Sequence, residues 1–116
     1  MSSAIDHVTA ALAAKGFGVL TTIDVAATLK KKLDVDFRPY VILGACNPGF
    51  AYKALQAESK IGAMLPCNVI LQQIDETHIE VSAVDPIASM QGVANPGLAS
   101  IAGEVRDLLK QTVEGL

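Results

Sequence analysis

The stretch from residue 67 to residue 84 limits the fold more than any other part of the chain. Its two halves, "CNVILQQI" (67–74) and "IEVSAV" (79–84), are rich in β-branched residues, and the second alternates apolar and polar side chains. The polar segment "DETH" (75–78) between them is typical of a turn, so we predict a β-hairpin with one half-buried face. That face requires further elements to cover it.

The remaining sequence predicts two more strands and four helices. The strands are expected over residues 16–23 and 38–45, and the second, "RPYVILGA", is a continuous apolar run suited to a buried central strand. Helical spacing and capping residues predict helices over the following segments: 4–15, 25–33, 48–59 and 97–113. The resulting order, α-β-α-β-α-β-β-α, predicts an α+β two-layer sandwich, and a chain of 116 residues fits a single domain over 1–116.

Several helix starts carry residues with a capping role. Ser2 or Ser3 can cap the first helix, and Asp24 can cap the second. The segments "CNPGFA" (46–51) and "ANPGLA" (94–99) both place Asn-Pro at a helix start, where Asn is a preferred cap and Pro suits the first helical position. We interpret this similarity as shared capping chemistry and not as an internal repeat.

The charge and composition of the chain exclude some classes of partner. The formal net charge is −3, and we interpret the single basic run, Lys30–Lys32, as a solvated helix face. Nucleic-acid binding is therefore not expected, because it depends on clustered Lys and Arg. The N-terminal residues lack the features of a signal peptide, and no apolar stretch approaches the roughly 20 residues of a membrane helix. We expect no membrane association and a soluble, cytoplasmic protein whose thiols are kept reduced.

The two cysteines of the chain, Cys46 and Cys67, each lie beside an asparagine. If Asn47 caps a helix, Cys46 lies one residue outside it, and a sulfur turned toward the helix start is activated by unpaired N–H groups and the helix dipole. A sulfur turned into the core stays neutral and inert. The cysteines meet at one end of the sheet if strands 38–45 and 67–74 run antiparallel, whereas parallel strands would separate them.

Four hypotheses for the cysteines stay open at this point. In the first, both cysteines are buried residues that take part in no chemistry. In the second, they form a thiol or persulfide site in which Cys46 is the activated thiol. A soft-metal site for Cu(I) or zinc would add Met64, Met90 and His78, although the cysteine spacing is a weak metal signal. A small-molecule pocket would bind through Asn68 and backbone groups. The sequence contains no Ser-His-Asp order, HExxH, Walker A or GxGxxG motif, so no catalytic residue, enzyme class or cofactor is assigned.

Three blocks of the sequence together indicate a known protein family: "GFGVLTTIDVAATLKKKLDVDFRPYVILGACNPGFAYKAL", "IGAMLPCNVIL" and "IEVSAVDP". Through them the chain resembles the bacterial and archaeal domain-of-unknown-function 302 family over nearly its whole length. The resemblance implies a compact α+β fold of the TATA-binding-protein-like type, with a mainly antiparallel sheet, helices packed on it, and members that dimerise. It implies no established activity. The family's motif residues carry over as Gly44, Cys46, Asn47, Pro48, Pro66, Cys67 and Asn68.

The resemblance sharpens the expectations for the site and the assembly. An antiparallel sheet favours a shared cysteine site. Family chains usually begin with a strand before the first helix, which is lacking here, so the sheet either lacks an edge strand or has that edge covered by a partner chain. Our hypothesis is a homodimeric binding or thiol-handling accessory domain for a sulfur species or soft metal, with the following ligand-binding candidates: Cys46, Asn47, Cys67 and Asn68. The alternative is a non-enzymatic structural or protein-interaction domain whose cysteines are only core residues.

Overall fold

A computed structural model describes all 116 residues of the chain. The strands are β1 (Gly18–Asp24), β2 (Tyr40–Cys46), β3 (Cys67–Gln73) and β4 (Ile79–Ala83). The helices are α1 (Ser2–Ala14), α2 (Val25–Leu33), α3 (Pro48–Ala57), α4 (Pro86–Ser89) and α5 (Pro96–Glu114), and one turn of 3₁₀-helix covers Ile61–Met64. Helices packed on one sheet confirm the predicted α+β class.

The four strands form one antiparallel sheet in the order β1-β2-β3-β4. Each strand therefore pairs with its neighbour in sequence, and the hairpin predicted over residues 67–84 is confirmed as β3 and β4. The first element described is the helix α1, which begins at Ser2, and β1 is an edge strand of this sheet. This topology makes β2 and β3 the central strands.

The core lies between the central strands and two helices. Direct partners in an antiparallel ladder share one face of the sheet. The buried residues of β2 and β3 are such partners: Val41 with Leu71, Leu43 with Val69, and Ala45 with Cys67. Val8 and Leu12 of α1 and Val105 and Leu109 of α5 pack on this ladder. Because each fully buried Leu or Val contributes roughly 1.5–3 kcal/mol, this contact is a main source of stability.

A hydrogen bond and a small apolar cluster hold α3 against α5. Asn95 caps α5, and its Oδ1 accepts the N–H of Gly97 at 3.0 Å. Its Nδ2 donates to the carbonyl oxygen of Ala57 at 2.7 Å, which satisfies a carbonyl left unpaired at the end of α3. Ala54 and Leu98 are buried together beneath this bond. The two helices therefore meet at a fixed position beside the sheet.

The capping residues of the first two helices differ in outcome. Asp24 caps α2 as predicted, since its Oδ1 accepts the N–H of Ala27 at 2.9 Å. The prediction that Ser2 or Ser3 caps α1 is wrong. Met1 occupies the cap position without a side-chain hydrogen bond, because the helix begins two residues earlier than predicted and includes both serines. 

The β1 side of the sheet is poorly covered. Six of the seven residues of β1 are exposed, including Leu20 at 67% and Ile23 at 47%. The apolar stripe of α2 buries none of its residues, and Leu33 is 66% exposed. The helices thus cover the centre of the sheet and leave this edge open.

Candidate functional site

Both cysteines lie at the end of the sheet where β2 finishes and β3 begins. Cys67 pairs with Ala45, and Cys46 is the next residue of β2. This is the arrangement expected from antiparallel strands. Both thiols are free.

Asn47 turns the chain from β2 into α3 directly after Cys46. Its Oδ1 accepts a hydrogen bond from the Phe50 N–H at 3.3 Å, and Pro48 occupies the first helical turn, as the Asn-Pro motif predicts. The extended backbone of Asn47 leads from the sheet to the helix layer. Cys46 therefore borders the space between them, although strict alternation along β2 would point it to the other face from Ala45.

A cavity of about 30 Å³ lies between this end of the sheet and helices α3, α4 and α5. Cys46, Asn47 and Cys67 line it together, and twelve of its fifteen lining residues are hydrophobic, including Phe50 and Met90. No aspartate, glutamate or histidine is among them. A space of this size holds only one or two water-sized groups. The cavity therefore suits a very small and uncharged group.

The two thiols differ in exposure and in electrostatics. Cys67 is 8% exposed, whereas Cys46 is half-buried. Burial raises the pKa of the Cys67 thiol above its ordinary value of 9.0, and the negative charge of a Cys46 thiolate raises that pKa further. Cys67 is thus held as a neutral thiol at neutral pH.

Asn68, the remaining candidate, does not line the cavity. It lies opposite Gly44 in the ladder and is exposed. Because neighbouring residues of a strand point to opposite faces, Asn68 lies on the other face of the sheet from Cys67. The structure brings together three of the four candidates and leaves Asn68 outside.

The residues proposed for a soft-metal site are also separated. His78 lies in the turn after β3, about 20 Å along the strand from Cys67, and its Nδ1 contacts Asp75 Oδ1 at 2.8 Å. Met64 is 44% exposed and does not line the cavity, whereas Met90 does. No group of three or more His, Cys, Asp or Glu side chains is arranged to hold a metal ion.

Gly44 has a packing role that the sequence did not reveal. A Cβ added at this residue would collide with Thr21 Oγ1 and would lie 2.7 Å from Pro66 Cγ. The close approach of these two side chains across β2 requires a residue without a side chain at this position. Gly44 is therefore explained by packing, whereas Pro66, which it approaches, also lines the cysteine cavity.

Two further residues, Met90 and Phe50, line the cavity beside the cysteines. From the sequence, Met90 was considered only as a ligand of a soft-metal site, and Phe50 was not singled out. Met90 follows α4, in the segment expected to be a loop with at most one helical turn. Its contact with the cavity depends on how α4 packs on α5, which local sequence patterns do not encode. Phe50 reaches the cavity because it belongs to the first turn of α3, the helix that begins after the Asn47 cap.

Comparison with known proteins gives a family and a fold. A family model described as "Domain of unknown function DUF302" matches residues 1–116. The crystal structure of an uncharacterized conserved DUF302 protein from Bacillus stearothermophilus is similar, with a TM-score of 0.89 and 29% sequence identity over 98% of this chain and 88% of that one. No curated protein sequence matches. None of the helices combines the length and the apolar character that a membrane crossing needs.

Proposed function

The chain belongs to the DUF302 family, whose description assigns no activity, and from that premise we propose that it is a thiol-handling protein that carries a single sulfur atom on Cys46. The observation that supports this role is the small apolar cavity lined by both cysteines. A cavity of about 30 Å³ has room for one added atom beside a thiol but not for a metabolite.

The proposed reaction moves a sulfane sulfur from a small organic persulfide to Cys46. The Cys46 thiolate attacks the outer sulfur of R–S–SH, a new S–S bond forms at its Sγ, and the bond inside the donor breaks. The donor leaves as R–S⁻ and takes up the proton that Cys46 released, so no external oxidant or reductant is needed. Cys46 is the less buried of the two thiols and lies directly before Asn47, the cap of α3, so it is the one that a donor at the border of the cavity meets first.

Cys67 has a different part in this proposal. Its raised pKa keeps the thiol neutral, so it does not compete as a nucleophile at neutral pH. A neutral thiol in an apolar cavity leaves room for the persulfide and adds no charge against it. Reduced thiols are needed throughout, and we propose the cytoplasm as the compartment for that reason.

A sulfur species fits the cavity better than a metal ion. A structural zinc site normally has four ligands, and this cavity offers two thiols and the thioether of Met90. Ligating thiols must also lose their protons, and the raised pKa of Cys67 opposes that loss.

The test treats the fully reduced protein with a short-chain alkyl persulfide, removes the excess donor without adding a reductant, and measures the mass of the intact protein. We expect the mass of one sulfur atom to be added, to be located at Cys46, and to be absent from Cys46→Ser. Cys67→Ser should still load, because its role is not nucleophilic. A Cys46→Ser variant that loads fully contradicts the proposal, and two thiols that stay unmodified until denaturant is added support the alternative that both are core residues.

We also propose that two copies of the chain associate through β1. This edge strand has an unpaired outer row of backbone groups and carries the exposed side chains of Leu20 and Ile23. Asp24, at its last position, is its only charged residue, and antiparallel pairing would keep the two copies of Asp24 at opposite ends of the contact. Antiparallel pairing of β1 with itself about a two-fold axis is self-complementary and would extend the sheet from four strands to eight.

A further inference from the structure

A second depression lies on the surface beside the cysteine cavity. It occupies about 260 Å³ between α4, the segment after it, and α5, and six of its eight lining residues are hydrophobic, among them Val93, Leu98 and Ala99. We call it the α4–α5 groove. Its volume is below the range of about 300–1,000 Å³ typical of drug-sized ligands, so it suits a smaller molecule with an apolar body.

Two residues, Met90 and Ala102, line both the groove and the cysteine cavity. Ala102 belongs to the rigid helix α5 and is 3% exposed, and its methyl group cannot move independently. Met90 is half-buried, follows the end of α4, and has an unbranched side chain with three rotatable bonds. A rotamer change of Met90 is therefore the smallest movement that joins the two spaces.

The groove has two polar lining residues, Gln91 and Asn95. Asn95 is already engaged at both ends of its amide, with the Gly97 N–H and with the Ala57 carbonyl. Gln91 is exposed, and its side-chain amide forms no hydrogen bond within the chain. Polar recognition in the groove thus falls to the exposed side chain of Gln91.

We propose that the α4–α5 groove binds the apolar body of the sulfur donor and that Met90 is the movable wall through which the donor's terminal sulfur reaches the cysteines. The ligand class is a low-molecular-weight organic persulfide with a short apolar chain. The chemistry of this ligand rests on the proposed function, whereas the route from groove to cavity rests on the shared walls alone.

The route is tested in a Cys46→Ser background, in which Cys67 is the only thiol and is reached through the cavity. The probes are methyl methanethiosulfonate and its n-pentyl analogue, which carry the same reactive group on apolar bodies of different size. Met90→Ala should raise the rate of Cys67 modification about tenfold, because access no longer waits for a side-chain movement, while Met90→Leu stays within about twofold. Val81→Ala, which shortens a core side chain away from the groove, is the control. Its rate of Cys67 modification shows how much of any increase comes from lower stability alone.

A matched pair of variants on α5 tests whether the groove itself is used. Ala99 lines the groove and its exposed neighbour Ser100 does not, so Ala99→Phe fills the groove and Ser100→Phe leaves it open. We expect Ala99→Phe to slow the pentyl reagent about tenfold and Ser100→Phe to leave it unchanged. Equal rates in Ala99→Phe and Ser100→Phe overturn the proposal, as does a Met90→Ala rate no higher than that of Val81→Ala. Because these reagents modify any accessible thiol, either result is independent of whether Cys46 accepts sulfur from a persulfide.

Discussion

Cys67 lies directly opposite Ala45 in the ladder of β2 and β3, which leaves it one residue out of register with Cys46. Strict alternation along β2 would put the two thiols on opposite faces of the sheet, yet both line one cavity at the end of this strand. Their environments are unequal, because Cys67 belongs to the buried ladder and Cys46 lies at the turn into α3. This inequality allows one thiol to react while the other stays protonated.

The titration of Cys67 should depend on Cys46. Two causes raise the pKa of Cys67, and burial is larger than the charge of Cys46. Replacing Cys46 by Ser removes the second cause only, so we expect the pKa of Cys67 to fall toward 9.0 and to remain above it. The measurement is the ¹³C chemical shift of labelled cysteine across pH. An identical midpoint in wild type and Cys46→Ser would show that the sulfurs do not interact.

The raised pKa of Cys67 also predicts a loss of stability at alkaline pH. Because the folded state favours the neutral thiol, this contribution to stability is fully present below 9.0 and is lost as the pH rises through the folded-state pKa. Urea unfolding across this range should show a shallower pH dependence in Cys67→Ala than in wild type. The comparison concerns the slope, since Cys67→Ala also removes buried volume. Cys46→Ala serves as the control. Its slope should differ little from that of wild type, because the charge of Cys46 is the smaller cause of the raised pKa of Cys67.

Gly44 should tolerate no side chain. In Gly44→Ala the new Cβ meets Thr21 and Pro66, and we expect a loss of about 1–3 kcal/mol in the free energy of unfolding, as for other overpacked sites. Gly18→Ala is the matched control, because Gly18 is also a strand glycine and a Cβ there meets nothing within 4 Å. Urea unfolding of both variants decides the matter. Equal stabilities would mean that Thr21 and Pro66 move aside at little cost.

The parts of the fold that were predictable are those set by local chemistry. The hairpin β3–β4 and the caps Asp24, Asn47 and Asn95 each depend on residues a few positions apart, and each is present in the structure. The cap of α1 was missed because Met1 serves without a side-chain bond, which no capping preference describes.

The site was less predictable, because it depends on the relative direction of the strands, on the face of the sheet to which each residue points, and on helix packing. The antiparallel order that brings Cys46 and Cys67 together came from the family resemblance and not from spacing. Asn68 follows Cys67 in sequence, yet a one-residue step along a strand reverses the face of the sheet. Met90 reaches the cavity only through the packing of α4 on α5, whereas His78, equally plausible as a soft ligand, lies at the far end of β3.

The proposed association through β1 gives the last prediction. A charge at Ile23 should prevent pairing, because two copies related by a two-fold axis would bring like charges together in an apolar contact. We expect wild type to elute as a dimer and Ile23→Glu as a monomer in size-exclusion chromatography with light scattering. Ile74→Glu is the control, since Ile74 is a similarly exposed isoleucine after β3 and away from the β1 edge. A monomeric wild type would rule out the association. A dimer that Ile74→Glu disrupts and Ile23→Glu does not would place the contact away from β1, and the exposed side chains of β1 would then need another partner.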